Sequence, residues 1–223
     1  MLMVTVHFIA RMIWNNGVRR ITPVTAPTGT SGTPFSFAVY KLSLICQAVI
    51  MPRKSRIDAP GAFHHIIARG IERSDIFKDN TDRNNFLNRL GGIIKETNTH
   101  CFGWALIPNH FHLLLKTGDM SIATVMRRLL TGYAVSHNRR HGRSGHLFQN
   151  RYKSILCQED TYLLELVRYI HLNPVRAGIV KDVKALNKYP FAGHSVIMGK
   201  VNNDWQDTKW VLRLFHTKLP IAR

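Results

Sequence analysis

Hydrophobic and polar positions become periodic only beyond about residue 51. The run Ala-Phe-His-His-Ile-Ile-Ala-Arg-Gly at 62–70 is rich in strand-forming residues and stops at a glycine, which predicts a first strand. Residues 71–79 form a polar connection. Over about 81–98, Phe86, Leu87, Leu90, Ile93 and Ile94 recur at helical spacing, and the Gly91-Gly92 pair weakens that helix without abolishing it. Residues 101–107 predict a second strand, Pro108-Asn109 an irregularity, and His110-Phe111-His112-Leu113-Leu114-Leu115 a third strand ended by Gly118-Asp119. Ser121 can cap a second helix whose stripe is Ile122, Val125, Met126, Leu129 and Leu130. A loop at 141–145 leads to a fourth strand or extended segment at 147–157. The third helix covers 159–172 with Leu163, Leu166, Val167 and Ile170 as its stripe. It is expected to end at Asn173-Pro174, because a residue before proline is biased away from helix. The order strand, helix, strand, strand, helix, strand, helix predicts an α+β fold: a ferredoxin-like (RRM-like) antiparallel sheet with helices packed on one face.

Residues 1–50 differ in kind. They contain no Asp or Glu, and the Pro/Gly/Thr/Ser-rich stretch 22–34 has no periodicity and reads as disorder. Either Met51 is the real start and 1–50 come from an over-extended reading frame, or they are a genuine basic arm. The patterned domain is expected over 51–182, and 183–223 reads as an accessory C-terminal segment. No apolar run reaches the roughly 18 residues of a membrane span. Cys46, Cys101 and Cys157 are too scattered for a disulfide framework or a zinc spacing, so a reducing, cytoplasmic location is expected.

Charge then narrows the partner. Of 223 residues, 31 are Lys or Arg and 13 are Asp or Glu, a net charge of +18 that exceeds what solubility needs and points to a polyanion. No acidic residue lies between Asp119 and Glu159. That stretch holds Arg127, Arg128, Arg139, Arg140, Arg143, Arg151 and Lys153, with Tyr133, Phe148 and Tyr152 interleaved. Guanidinium groups bind phosphates bidentately and aromatic faces stack bases. The competing reading is a solvated helix face plus a loop.

Candidate chemistry lies at two places. His110 and His112 alternate with Phe111 on a strand, so both imidazoles share one face, roughly 7 Å apart, and suit one divalent metal or one anionic ligand. The bland reading is two surface histidines. Tyr169 and Asn173 lie four apart near the end of the third helix and share its face, whereas His171 lies about 200° round from Tyr169. A tyrosine oxygen can attack phosphorus, a nearby metal can supply the electrophile, and the Asn173 carbonyl could reach that metal. Tyr133 is the rival nucleophile, although it would more naturally stack a base or pack in the core.

These residues together resemble a known family. His110-Phe111-His112 is similar to the histidine–hydrophobe–histidine motif of HUH endonucleases. Tyr169-Ile170-His171-Leu172-Asn173-Pro174-Val175 resembles the nucleophile segment of single-tyrosine transposases, most of all the REP-associated tyrosine transposases of bacteria. The segments 145–154 and 176–180 support the likeness, which covers about 52–180. The resemblance implies cleavage and rejoining of single-stranded DNA near hairpins. Mg²⁺ or Mn²⁺ would sit on His110, His112 and Asn173, where many relatives carry glutamine. Tyr169 would form a 5′-phosphotyrosine intermediate, and the protein would act as a monomer or homodimer. Two other classes stay open: a non-catalytic ferredoxin-like module that only binds nucleic acid, and a metal-dependent hydrolase using water. The hydrolase would usually want carboxylate ligands, and none adjoins the His pair.

Overall fold

The structure is a computed structural model, and it describes residues 61–157 and 160–218. The expectations for residues 1–50 and for a start at Met51 lie outside the described residues. Four strands are present: β1 (Phe63–Arg69), β2 (His100–Ile107), β3 (His110–Lys116) and β4 (Lys153–Cys157). The helices are α1 (Asn80–Glu96), α2 (Ile122–Arg140), α3 (Asp160–Arg176), α4 (Val183–Leu186), α5 (Gly193–Ile197) and α6 (Thr208–Lys218), with a short 3₁₀ turn at Ile71–Arg73. The sheet order is β2-β3-β1-β4 and every neighbouring pair is antiparallel. The α+β class and the ferredoxin-like order follow the expectation.

Local chemistry accounts for the element ends. Asp79 accepts from the Asp82 N–H and starts α1, and Ser121 accepts from the Thr124 N–H and starts α2, each satisfying a backbone donor that the first helical turn leaves free. Gly91 faces the Trp205 ring, and a Cβ there would stand 2.5 Å from that ring, so this glycine permits a close approach that any other residue would obstruct.

Two expectations need correction. Helices do not lie on one face only. Ile66, Ala68, Phe111, Leu113 and Leu115 of the sheet pack with Phe86, Leu90, Ile94, Val125, Met126 and Leu129 from α1 and α2. Phe102, Ala105 and Leu114 pack instead with Leu163, Leu166, Val167 and Ile170 of α3 and with Val211 and Leu214 of α6. The reason is visible in β2, where seven of eight residues are buried: a strand covered on both faces carries a continuous apolar run rather than an alternating one. The third helix also does not stop at Asn173. It runs through Pro174 to Arg176 and closes at Gly178, whose φ of +69° lets Gly178 N–H bond Val175 O at 3.0 Å and Ile179 N–H bond Pro174 O at 2.9 Å. Pro174 forgoes the N–H bond to the Ile170 carbonyl and its ring crowds that carbonyl, so the helix continues past it at a cost and for less than one further turn.

The C-terminal segment seals the β2 edge. Trp104 Nε1 donates to Gln206 Oε1 at 2.8 Å, Gln206 Nε2 donates to Gly193 O at 3.2 Å, and Leu106 N–H donates to Phe191 O at 3.0 Å. An edge that would otherwise offer unpaired backbone groups is thereby closed.

Candidate active site

The antiparallel register of β1 and β3 sets Ile67 opposite His112 and Arg69 opposite His110. Side chains alternate, so His110, His112 and Leu114 of β3 share a face with His65 and Ile67 of β1, the face that α3 covers. His112 and His65 are diagonal neighbours there. Their rings stack at 5.2 Å between centroids, and His65 Nε2 lies 3.0 Å from His112 Nδ1. The His110 and His112 rings are 5.2 Å apart at 76°. His110 Nδ1 is held by Asn109 Oδ1 at 2.6 Å; donation there leaves Nε2 with its lone pair.

Helix α3 brings Tyr169 to this row. Its ring meets His112 edge-on at 5.6 Å and His65 at 6.2 Å, while the Arg176 guanidinium lies over it, 5.1 Å from the ring centroid. Asn173, buried one turn further on, donates from Nδ2 to the Tyr169 carbonyl at 3.0 Å. That leaves its side-chain oxygen as the end available to a ligand.

Burial sets the protonation of the histidines. Desolvation holds the fully buried His112 imidazole well below the ordinary range, with the neighbouring His65 adding to the effect. His65 is pushed down to about 3 by burial and then by the Lys153 charge, and His110 to about 4 by burial and then by Arg69. All three are therefore neutral at pH 7, and His110 and His112 keep lone pairs that a metal could use. His171 points away from this row, as its position on the helix predicts: it is buried beside Gly103 and faces His194 at 6.0 Å. Tyr133 is a core residue. It is 1% exposed, donates its hydroxyl to Ile76 O and packs edge-on against Phe86, and its phenol is pushed up by burial.

A family model described as "Transposase IS200 like" matches residues 61–173, just over half of the chain and every strand described above. The chain belongs to the IS200-like transposase family. Among solved structures, a REP-associated tyrosine transposase bound to a REP hairpin aligns with a TM-score of 0.55 at 16% identity, over 70% of this chain and 98% of that one. At that identity the likeness shows a shared fold. A putative transposase from Deinococcus radiodurans R1 aligns at 19% identity over 53% of this chain and 95% of its own, with a TM-score of 0.38. No curated protein sequence matches the chain.

The basic residues of this transposase are divided by the fold. Arg128 pairs with Glu96 of α1, and Arg140 forks onto Asp79 at 2.6 Å and reaches Asp82 at 2.6 Å, so acids distant in sequence meet the acid-free stretch. Among the described residues, Arg127, Arg139, Arg143, Arg151 and Lys153 have no carboxylate within ion-pair distance. Arg127 and Arg151 border a groove of about 760 Å³ between α2 and residues 145–152, floored by Met126, Leu130 and Phe148. Of these five, Lys153 alone stands on the histidine face, opposite Ile67, where Arg69 of β1 also lies. The residue that sequence reasoning passed over is His65. The pair His64-His65 must send one ring to each face of a strand, but only the β1–β3 register tells which one meets His112.

Proposed function

We propose that this transposase cuts and rejoins single-stranded DNA beside hairpins, with Tyr169 as nucleophile. The observation that carries the reading is the Tyr169 ring standing edge-on against His112, 5.6 Å away, in the same row as His110. His110, His112 and the Asn173 side-chain oxygen would hold a divalent ion. Two neutral imidazoles and one amide oxygen fit this role, and the donor set suits Mn²⁺ better than Mg²⁺, with phosphate and water oxygens completing the shell. When bound, such an ion polarises the scissile phosphate.

The chain's own residues do the rest. Tyr169 Oη forms a bond to phosphorus as the phosphorus–O3′ bond breaks. The phenol proton is given up, the departing 3′ oxygen takes one, and Tyr169 is left esterified to the 5′ phosphate. A 3′-OH attacking that ester reverses the step at the old or a new junction, and the conserved phosphodiester energy makes ATP unnecessary. Arg176 on the Tyr169 ring supplies positive charge for the phenolate and the phosphate. Asn109 and His65 fix the ring orientations of His110 and His112. Arg127, Arg139, Arg143, Arg151 and Lys153 would hold the DNA backbone. A hairpin as target is supported by the neighbour of like fold, which was solved with one.

The test is a labelled single-stranded hairpin oligonucleotide with the protein and Mn²⁺, run on a denaturing gel. A covalent protein–DNA band is expected, lost with Tyr169→Phe and with EDTA and kept with Tyr133→Phe. A band that survives Tyr169→Phe overturns the assignment. A shift on a native gel with no covalent band under any condition makes the chain a DNA-binding module without cleavage.

A further inference from the structure

A second cluster of ligand-type side chains lies on the opposite face of the sheet, where the N-terminal end of α1 meets the C-terminal end of α2. His137 and His141 are four apart on α2 and so share one side of it. Their rings are 4.5 Å apart between centroids. Both address Asp82 in the first turn of α1: His141 Nε2 lies 2.9 Å from Asp82 Oδ2, and His137 Nε2 lies 3.9 Å from the same oxygen. One ligand atom from each residue falls within 4.8 Å of the others. His137 is 1% exposed, and neither of its ring nitrogens has a hydrogen-bond partner. A fully buried imidazole with two unpaired nitrogens costs stability unless something occupies the space it faces.

We propose that Asp82, His137 and His141 form a binding site for a divalent transition-metal ion of the Zn²⁺ class, stapling α1 to α2 independently of the Tyr169 site. Two imidazoles and one carboxylate select zinc-like ions over Mg²⁺ or Ca²⁺, which prefer all-oxygen shells. The surroundings are those of a supported ligand set. Asp82 Oδ2 also accepts from the Lys78 N–H at 3.0 Å, and its other oxygen accepts from Arg140 Nη1 at 2.6 Å. The Arg140 charge is itself met by Asp79, so it does not oppose a cation unbalanced. These contacts fix the carboxylate as outer partners do in metal sites. His141 closes α2, with its backbone N–H on His137 O, and its side chain is 15% exposed, which opens the fourth position to water and gives the ion a way in.

The test uses the full chain without a histidine tag, carrying His110→Ala and His112→Ala so that the Tyr169 site contributes no metal signal. Titration with Co²⁺ followed optically, and with Zn²⁺ by calorimetry, should give one ion per chain. The Co²⁺ spectrum should be tetrahedral and Zn²⁺ should displace it. At about a hundredfold excess over Kd, Zn²⁺ should raise Tm by about 5–10 °C. His141→Gln and His137→Gln should each abolish saturable binding, while Arg140→Gln should retain it. Circular dichroism reports folding; if His137→Gln does not fold, His141→Gln at the open end of the cluster decides. Absence of saturable binding in the His110/His112 background, or binding unchanged by His141→Gln, overturns the site and leaves His137 served by a buried water alone. Either outcome leaves the covalent-band test of Tyr169 unaffected.

Discussion

His65→Leu separates a metal-orienting role from a packing role. His65 Nε2 lies 3.0 Å from His112 Nδ1 in a region that water does not reach, and His65 itself is 0% exposed. For His112 to offer Nε2 to an ion, its proton must sit on Nδ1, and the His65 nitrogen is the acceptor that favours that tautomer. Losing such an outer partner of a ligating histidine typically weakens metal binding 10- to 100-fold, or about 1.4–2.7 kcal/mol. The cost to folding should be small. The substitution removes His65 Nδ1, buried without a hydrogen-bond partner, and leaves His112 Nδ1 unpaired in its place, so the two effects cancel to within about 1 kcal/mol. The assay is covalent-adduct formation on a fixed hairpin as Mn²⁺ is varied. The half-saturating Mn²⁺ concentration should rise about 10- to 100-fold, with the full adduct yield recovered at saturation. An unchanged half-saturation in a folded His65→Leu protein refutes the reasoning, and so does a yield that no Mn²⁺ concentration restores.

Three further outcomes follow from the same geometry. Gly92→Ala should stabilise the protein by about 0.5–1 kcal/mol, because nothing lies within 4 Å of the added methyl; Gly91→Ala should destabilise it, because the methyl would meet the Trp205 ring, and urea melts of the two neighbours distinguish them. Arg151→Ala should weaken hairpin binding and lower the salt dependence by about one phosphate contact, whereas Arg128→Ala, whose guanidinium is already paired with Glu96, should change neither; fluorescence anisotropy across salt concentrations measures both. Gly178→Ala should cost about 1 kcal/mol of stability in thermal melts, since its φ of +69° closes α3 and a side chain there is strained.

Much of the fold could be read from periodicity because the elements that matter are amphipathic. The Ser121 cap and the stripe Val125, Met126 and Leu129 place α2 to the residue, and Phe86, Leu90, Ile93 and Ile94 do nearly the same for α1. The face occupied by α3 has a fainter signal: Cys-Phe-Gly-Trp-Ala-Leu-Ile in β2 does not alternate, and a strand with one solvated face would. The end of α3 differs from the expected stop at Asn173-Pro174 because the bias before proline is only a tendency, whereas Gly178 offers the left-handed residue that closes the helix.

The site divides along the same line between local and non-local information. Strand alternation alone puts His110 and His112 on one face, and helical spacing alone separates Tyr169 from His171. Both are properties of a single element, and both survive in the structure. What comes from elsewhere in the chain could not be seen one element at a time. His65 reaches His112 only through the β1–β3 register, and Glu96, Asp79 and Asp82 reach Arg128 and Arg140 only because α1 lies beside α2. The acid-free stretch is therefore not uniformly available to phosphate: two of its arginines are already neutralised by α1. Arg127 and Arg139 of α2, with Arg143 and Arg151 beyond it, have no such partner among the described residues, and Lys153 of the same stretch stands instead on the histidine face with Arg69, so a DNA strand held by both groups, as proposed, has to reach two sides of the sheet.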